Sequence, residues 1–186
     1  MKLAYAVCGS FCTHSASLKA LKELARDNDI TPILSEATRD TDTRFGRADT
    51  LRDTIAGICG CEPILSIRQA EATITNGGYN ALIVAPCTGN TLAKIANGIT
   101  DSTVTMCVKA QLRSRLPVLI GIATNDGLGA NLQNIALTLE KKNIFFVPFS
   151  QDNPTAKPTS LICDFSLIRP TLELALIGKQ IQPILQ

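Results

Sequence analysis

Five short stretches of this chain are almost unbroken apolar runs: LAYAVC (3–8), TPILS (31–35), NALIVAP (80–86), PVLIGIAT (117–124) and IFFVPF (144–149). A strand with one wet face alternates apolar and polar residues; runs of this kind need cover on both faces. The segments between them carry helical stripes: Leu18, Leu21 and Ala25; Leu51, Ile55 and Ile58; Leu132, Ile135, Ala136 and Leu139. Strand and helix in alternation give parallel strands joined by right-handed crossovers, because a parallel pair cannot be closed by a tight turn. The pattern therefore predicts an α/β three-layer sandwich built on a parallel sheet. At 186 residues, with 45% apolar content and no linker or repeat, it reads as one domain spanning 1–186.

Two stretches stand outside the alternation. Residues 36–50 read as a polar loop after the second strand, and residues 150–160, with two prolines, as a loop leading to the last helix. That helix is expected to run through Ile168, Leu172, Ala175 and Leu176 and to stop at Gly178. Pro170 stands either at a tolerated first-turn position or at a kink.

Composition removes several functions. Eighteen Lys and Arg against sixteen Asp and Glu leave a net charge of +2 and no basic stripe, so neither nucleic acid nor a membrane surface is an expected partner. The apolar start is too short for a signal peptide, and no run approaches the ~18 residues of a membrane span. A cytoplasmic location is expected. Seven cysteines, an odd number set in apolar runs, read as reduced thiols. Cys59-Gly-Cys61 and Cys8-x3-Cys12 have no second pair at metal spacing, and His14 is the only imidazole, so no metal site is expected.

In an open parallel sheet, ligands bind beyond the carboxyl ends of the strands. The first strand ends in Cys8-Gly9-Ser10-Phe11-Cys12-Thr13-His14-Ser15, where a tight turn and hydroxyls adjoin the free amides of a coming helix. Taken alone this segment is better explained by an ordinary Ser/Thr helix cap, since such caps are common and GxGxxG and GK[ST] spacings are absent. The third ends in Ala85-Pro86-Cys87-Thr88-Gly89-Asn90-Thr91, and a short helix leads to a second polar turn, Asp101-Ser102-Thr103. Helices starting near Thr88 and near Asp101 offer two sets of N-terminal amides. The fourth ends in Thr124-Asn125-Asp126-Gly127. Each tip alone could be capping or turn chemistry; their convergence on one sheet end is the signal.

APCTGNTLAKIANGITDS resembles the PASANT segment and following Asp turn of the flavoprotein family, which includes phosphopantothenoylcysteine decarboxylases and flavin prenyltransferases. CGSFCTHS, TDTRFG, GIATNDGLG and NIFFVPFSQDNP resemble, more narrowly, the family of dipicolinate synthase B subunits, over essentially the whole chain. The resemblance implies a Rossmann-like, homo-oligomeric sandwich of the flavoprotein type. With a dehydrogenase-like A subunit it would oxidise a dihydrodipicolinate-type product of the lysine pathway to dipicolinate, in the mother cell of a sporulating bacterium. The cofactor it implies is FMN or NADP, in a site that is otherwise empty or holds phosphate. Gly9 and Ser10 would meet the phosphate or ribityl end, with Ser35 contacting the same chain, and Phe11 belongs to the same cofactor set. Pro86, Thr88, Gly89 and Thr91 match the PASANT turn, with Cys87-Thr88-Gly89 standing where the family has Ala-Ser. Asp101 and Ser102 would close over the ligand, and Thr124 and Asn125 complete the cofactor set.

Catalytic candidates are Asn90, matched to the family's carboxylate-binding Asn, with His14 and Cys87. His14 at a helix start is expected to be neutral, and Cys87 is a thiol that nearby amides could activate. Arg44, with Arg47 beside it, is expected to clamp a small dicarboxylate substrate. Cys107 and Cys163 are assigned to packing, and Lys94 and Lys109 to the surface or a subunit contact. Two rival readings remain: an FMN-dependent decarboxylase or prenyltransferase, and a non-catalytic assembly subunit.

Overall fold

The computed structural model describes residues 1–186. Its elements are β1 (Lys2–Val7), α1 (His14–Leu24), β2 (Asp29–Leu34), α2 (Glu36–Asp40), α3 (Ala48–Cys59), α4 (Ile67–Asn76), β3 (Ala81–Cys87), α5 (Gly89–Asn97) and α6 (Thr103–Arg113). There follow β4 (Val118–Thr124), α7 (Leu132–Leu139), β5 (Ile144–Phe146), β6 (Phe149–Asn153), β7 (Lys157–Cys163) and α8 (Ile168–Leu176). The sheet has seven strands in the order β2-β1-β3-β4-β7-β6, with β5 pairing the first half of β4. β1 to β5 are parallel, as the apolar runs predict. One helical layer contains α1 and α8; the other pairs α4 with α6 and α5 with α7. Forty-five buried apolar residues form one continuous core through the sheet and both layers.

Three expectations change. Residues 36–50 are not all loop: Ser35 Oγ accepts from Thr38 N at 3.3 Å and so starts α2, while α3 begins at Ala48. What remains is a flap, residues 41–47, closed by a reciprocal pair of backbone bonds between Thr43 and Gly46 at 3.0 and 3.1 Å. Residues 150–160 are an antiparallel hairpin, β6 and β7, which crosses to β4 at Ala123 and Thr124. Its prolines survive because Pro154 lies in the connecting turn and Pro158 lies where the register shifts between Asn153 and Gln151, so neither is required to donate to a regular ladder. The run 144–149 splits at Val147-Pro148, so β5 stops at Phe146 and Phe149 opens β6.

The last helix starts at Ile168 with Pro170 in its first turn, where a missing N–H costs nothing. Gly98 ends α5 in the left-handed conformation, φ +70°, which turns the chain back and brings Asp101 and Ser102 beside the start of the same helix.

Candidate functional site

Strands β1, β2, β3 and β4 all end at one edge of the sheet, and two clefts adjoin there. One, of about 410 Å³, is lined by Gly9, Ser10, Thr88, Gly89, Thr124 and Asn125, with Phe11 and Asp126. The other, of about 430 Å³, is lined by Gly9, Ser35, Thr88, Asn90, Thr91, Asp101 and Ser102, with Glu36 and Lys94. Gly9 and Thr88 belong to both, so the two halves form one groove. Every sequence-expected cofactor position except Pro86 lies along it. Pro86 and Cys87 are buried behind it in β3.

The groove is organised from β3. Thr88 caps α5: its Oγ1 accepts from Thr91 N at 3.3 Å and donates to Thr91 Oγ1, which in turn donates to Cys8 Sγ at the end of β1. Gly89 and Asn90 follow, and their amides, in the first turn of α5, have no intrahelical acceptor. Gly89 is required by close approach: a Cβ there would stand 2.4 Å from Asn131 Nδ2 and 2.6 Å from Thr124 Oγ1. Those two groups hold Asp126. Thr124 Oγ1 donates to its Oδ1 at 2.5 Å, and Asn131 Nδ2 reaches both oxygens at 2.8 and 2.9 Å. The Thr124 hydroxyl, then the Asn131 amide, keep the Asp126 carboxyl below the usual range, so the cleft carries a fixed negative charge.

The expected second set of free amides, at α6, is already engaged. Glu36 Oε1 accepts from Thr103 N and Thr103 Oγ1, both at 2.8 Å, and Ser102 with Thr105 forms a capping box. Asp101 is not the cap. It pairs with Lys94 Nζ at 2.8 Å, and that hydrogen bond lowers its carboxyl pKa. Lys94 lines the groove instead of lying on open surface.

His14 and the two arginines lie apart from Asn90. A third hollow, of about 350 Å³, opens beside the groove through Phe11, Cys12 and Phe45, and His14 lines it. His14 is buried; its Nε2 is 2.8 Å from the carbonyl oxygen of Cys8, so Nε2 carries the hydrogen and Nδ1 is left as the ring's acceptor. Burial lowers its pKa, which keeps it neutral at pH 7. Arg47 lines the hollow but is spent on Asp49, with Nη2–Oδ2 2.6 Å and Nε–Oδ1 3.1 Å. Arg44 is exposed, in no ion pair, with its guanidinium 4.9 Å from the Phe45 ring centre, and it borders none of the clefts. The two-arginine clamp is therefore not formed.

Cys87 is corrected as well. It is fully buried, and burial pushes its thiol far above the ordinary value, so it is protonated and cannot act as a thiolate in the groove. Cys107 and Cys163 are buried, in keeping with packing. No group of three or more His, Cys, Asp or Glu is placed to hold a metal ion, and no helix is long and apolar enough to cross a membrane. Sequence reasoning missed Glu36, Asp126 and Phe45 as site residues. All three stand in segments that the sequence does single out: the position after Ser35, the Thr-Asn-Asp-Gly tip and the TDTRFG loop.

A doubly covered, mostly parallel sheet with a hydroxyl- and amide-lined groove at its carboxyl edge is the architecture of a mononucleotide-binding protein, and the comparisons with known proteins agree. The chain belongs to the flavoprotein family, whose model matches residues 16–167. Within it the chain is a homologue of the B subunit of dipicolinate synthase. It is 38% identical over 185 residues to that protein of Bacillus subtilis (strain 168), covering 99% of this chain and 92% of the other. A crystal structure of the corresponding B subunit from Bacillus halodurans superposes with a TM-score of 0.90 at 38% identity, over 100% of this chain and 95% of that one. The FMN-dependent cysteine decarboxylase SpaF shares the fold, with a TM-score of 0.68 at 22% identity over 94% and 97% of the two chains. FMN is thus the cofactor named with a structural neighbour; nothing in the comparisons supports NADP or a resident phosphate.

Proposed function

We propose that this chain is the B subunit of a two-subunit dipicolinate synthase, a cytoplasmic enzyme that oxidises a dihydropyridine dicarboxylate to pyridine-2,6-dicarboxylate together with a dehydrogenase-like A subunit. The observation that carries this reading is the end-to-end similarity to the Bacillus subtilis protein, at 38% identity over 99% of the chain. Removing two hydrogens from such a ring is driven by aromaticity. The protein's task is to hold the dicarboxylate, exclude water and place it against a two-electron acceptor.

The groove fits FMN. Gly89 has no room for a side chain, so the start of α5 packs directly against Thr124, Asp126 and Asn131 and joins the ends of β3 and β4 along the groove. Gly9, Ser10, Ser35, Thr88 and the first-turn amides of α5 would hold the phosphoribityl tail, since the start of α6 is taken by Glu36. A bound flavin would supply the hydride acceptor. Asn90, exposed at the first turn of α5, would donate its amide to a substrate carboxylate while staying neutral. Self-association is part of the same reading: Leu128, Leu132 and Leu139, at and just before α7, are 42%, 51% and 42% exposed, a surface a second copy would cover.

The test is reconstitution. The chain, its A subunit, FMN and the dihydropyridine substrate are combined, and dipicolinate is followed by chromatography. Product is expected only with both subunits, and Asn90→Ala is expected to lower the rate at least tenfold. Release of carbon dioxide by the FMN-loaded chain alone would favour a decarboxylase; full activity of Asn90→Ala in an intact complex would favour a purely structural role.

A further inference from the structure

We propose that the cleft between the last turn of α5, α6 and the end of α7 is the surface on which this chain docks a protein partner, through an acidic segment that bears an apolar side chain. The proposal rests on the function above only for the partner's identity, the A subunit; the surface stands on its own residues.

The cleft, of about 480 Å³, has an apolar floor and a cationic rim. Ile95 and Val108 are buried in the floor, and Leu112 is half-buried beside them. Ile99 also lines it, yet stays 47% exposed. Its place is fixed: Gly98 turns the chain at the end of α5, and Ile99 N donates back to the Lys94 carbonyl at 2.9 Å. Lys109, Arg113 and Lys141 supply the charge, and no acidic residue lines the cleft. None of these three cations is in an ion pair, and Glu140, next to Lys141, is exposed and bound to none of them. The clefts described above differ in just this respect. Asp126, Glu36 and Asp101 line the groove, and Arg47 in the hollow is spent on Asp49.

Lys109 and Arg113 are four residues apart on α6, so they stand one above the other, about 5–6 Å between Cβ atoms, as a short line of charge. A small anion neutralises one point of that line and leaves Ile99 in water. A protein segment with carboxylates spaced along it and an apolar side chain between them meets the rim and covers the floor together, which is the usual division of an interface into apolar centre and polar edge. Position favours a subunit that shares the reaction. Lys94 lines the groove and Ile95, the next residue, lines the cleft. A partner seated there rests on α5 and α6, the two helices whose starts carry Asn90 and Ser102 to the groove.

The experiment measures binding of the purified A subunit by surface plasmon resonance, over a range of sodium chloride concentrations. The partners are the full chain, Lys109→Glu with Arg113→Glu, Ile99→Asp, and Lys22→Glu on α1 as a charge-reversal control in the opposite helical layer. All four side chains are exposed, so the variants are expected to fold, and circular dichroism with FMN titration checks that they do. The double reversal should weaken binding at least tenfold and flatten its salt dependence; Ile99→Asp should also weaken it at least tenfold, and Lys22→Glu less than twofold. Undiminished affinity in the double reversal and in Ile99→Asp overturns the proposal, and if dipicolinate still forms the enzyme reading stands without it. No binding of the A subunit to the natural chain overturns both. Binding that depends on these residues, without any dipicolinate formation, supports the surface and sinks the enzyme reading. Sedimentation of the same variants tests the rival occupant: a loss of self-association with A-subunit binding intact assigns the cleft to a second copy of the chain and overturns the proposal.

Discussion

Gly89 is the residue on which the site's geometry turns most sharply. Its replacement by Ala would put a methyl against Asn131, Thr124 and Asp126, and overpacking of this kind costs about 1–3 kcal/mol. Gly89→Ala is expected to lower the melting temperature and to abolish ligand binding in the groove, both measurable by thermal shift with and without FMN. His14 makes a pH prediction. Burial, opposed by the bond to the Cys8 carbonyl, holds its pKa below the ordinary 6.5, so the folded chain binds fewer protons than the unfolded chain between the lowered value and 6.5. The stabilisation from His14 is complete above about pH 6.5 and is lost as pH falls through the folded pKa. Urea midpoints measured from pH 7.5 to 5 should fall toward acid in the natural chain and fall less in His14→Gln. The neutrality of His14 is legible from its position, but its cause is not. A helix start already disfavours the imidazolium, yet desolvation dominates, and desolvation depends on what Phe11 and the flap place over the ring. Cys87 shows the same gap in reverse: its spacing suggests an activated thiol, and only the packing behind β3 reveals a buried one.

At the scale of elements, the apolar runs make the parallel strands readable, because burial on both faces leaves its mark on every residue. The hairpin of β6 and β7 leaves no such mark. Its outer residues are mostly exposed, and its pairing with β4 involves only Ala123 and Thr124, so its polar, proline-bearing sequence looks like loop until a partner strand is supplied. Helix starts are located well, their occupants less so. That α6 begins near Ser102 follows from local chemistry; that Glu36, 67 residues away, fills its first turn is a tertiary fact. Glu36→Ala is expected to cost about 1 kcal/mol, as for loss of an N-terminal cap, and Glu36→Gln less, because an amide oxygen still accepts from Thr103. Chemical denaturation midpoints of the two variants against the natural chain provide the check.

For the whole molecule, the 45-residue core runs without a break from β2 to β5 and into both helical layers, so unfolding should be one cooperative event. Circular dichroism and tyrosine fluorescence should give coincident guanidinium transitions, and separated ones would mean two units. Sedimentation should return a mass above the 19.9 kDa of a single chain, falling toward it when Leu132 and Leu139 are both changed to Glu. The groove across the sheet edge has a waist. Its halves communicate only over Gly9 and Thr88, and a methyl at position 9 would already press on Ala37 at 3.1 Å. Any bulk introduced at that waist divides one trough into two cups. A long molecule straddling the sheet edge would be barred, while short ones could still settle on either side, which makes this one hydrogen atom the measure of how long a guest the fold can accept.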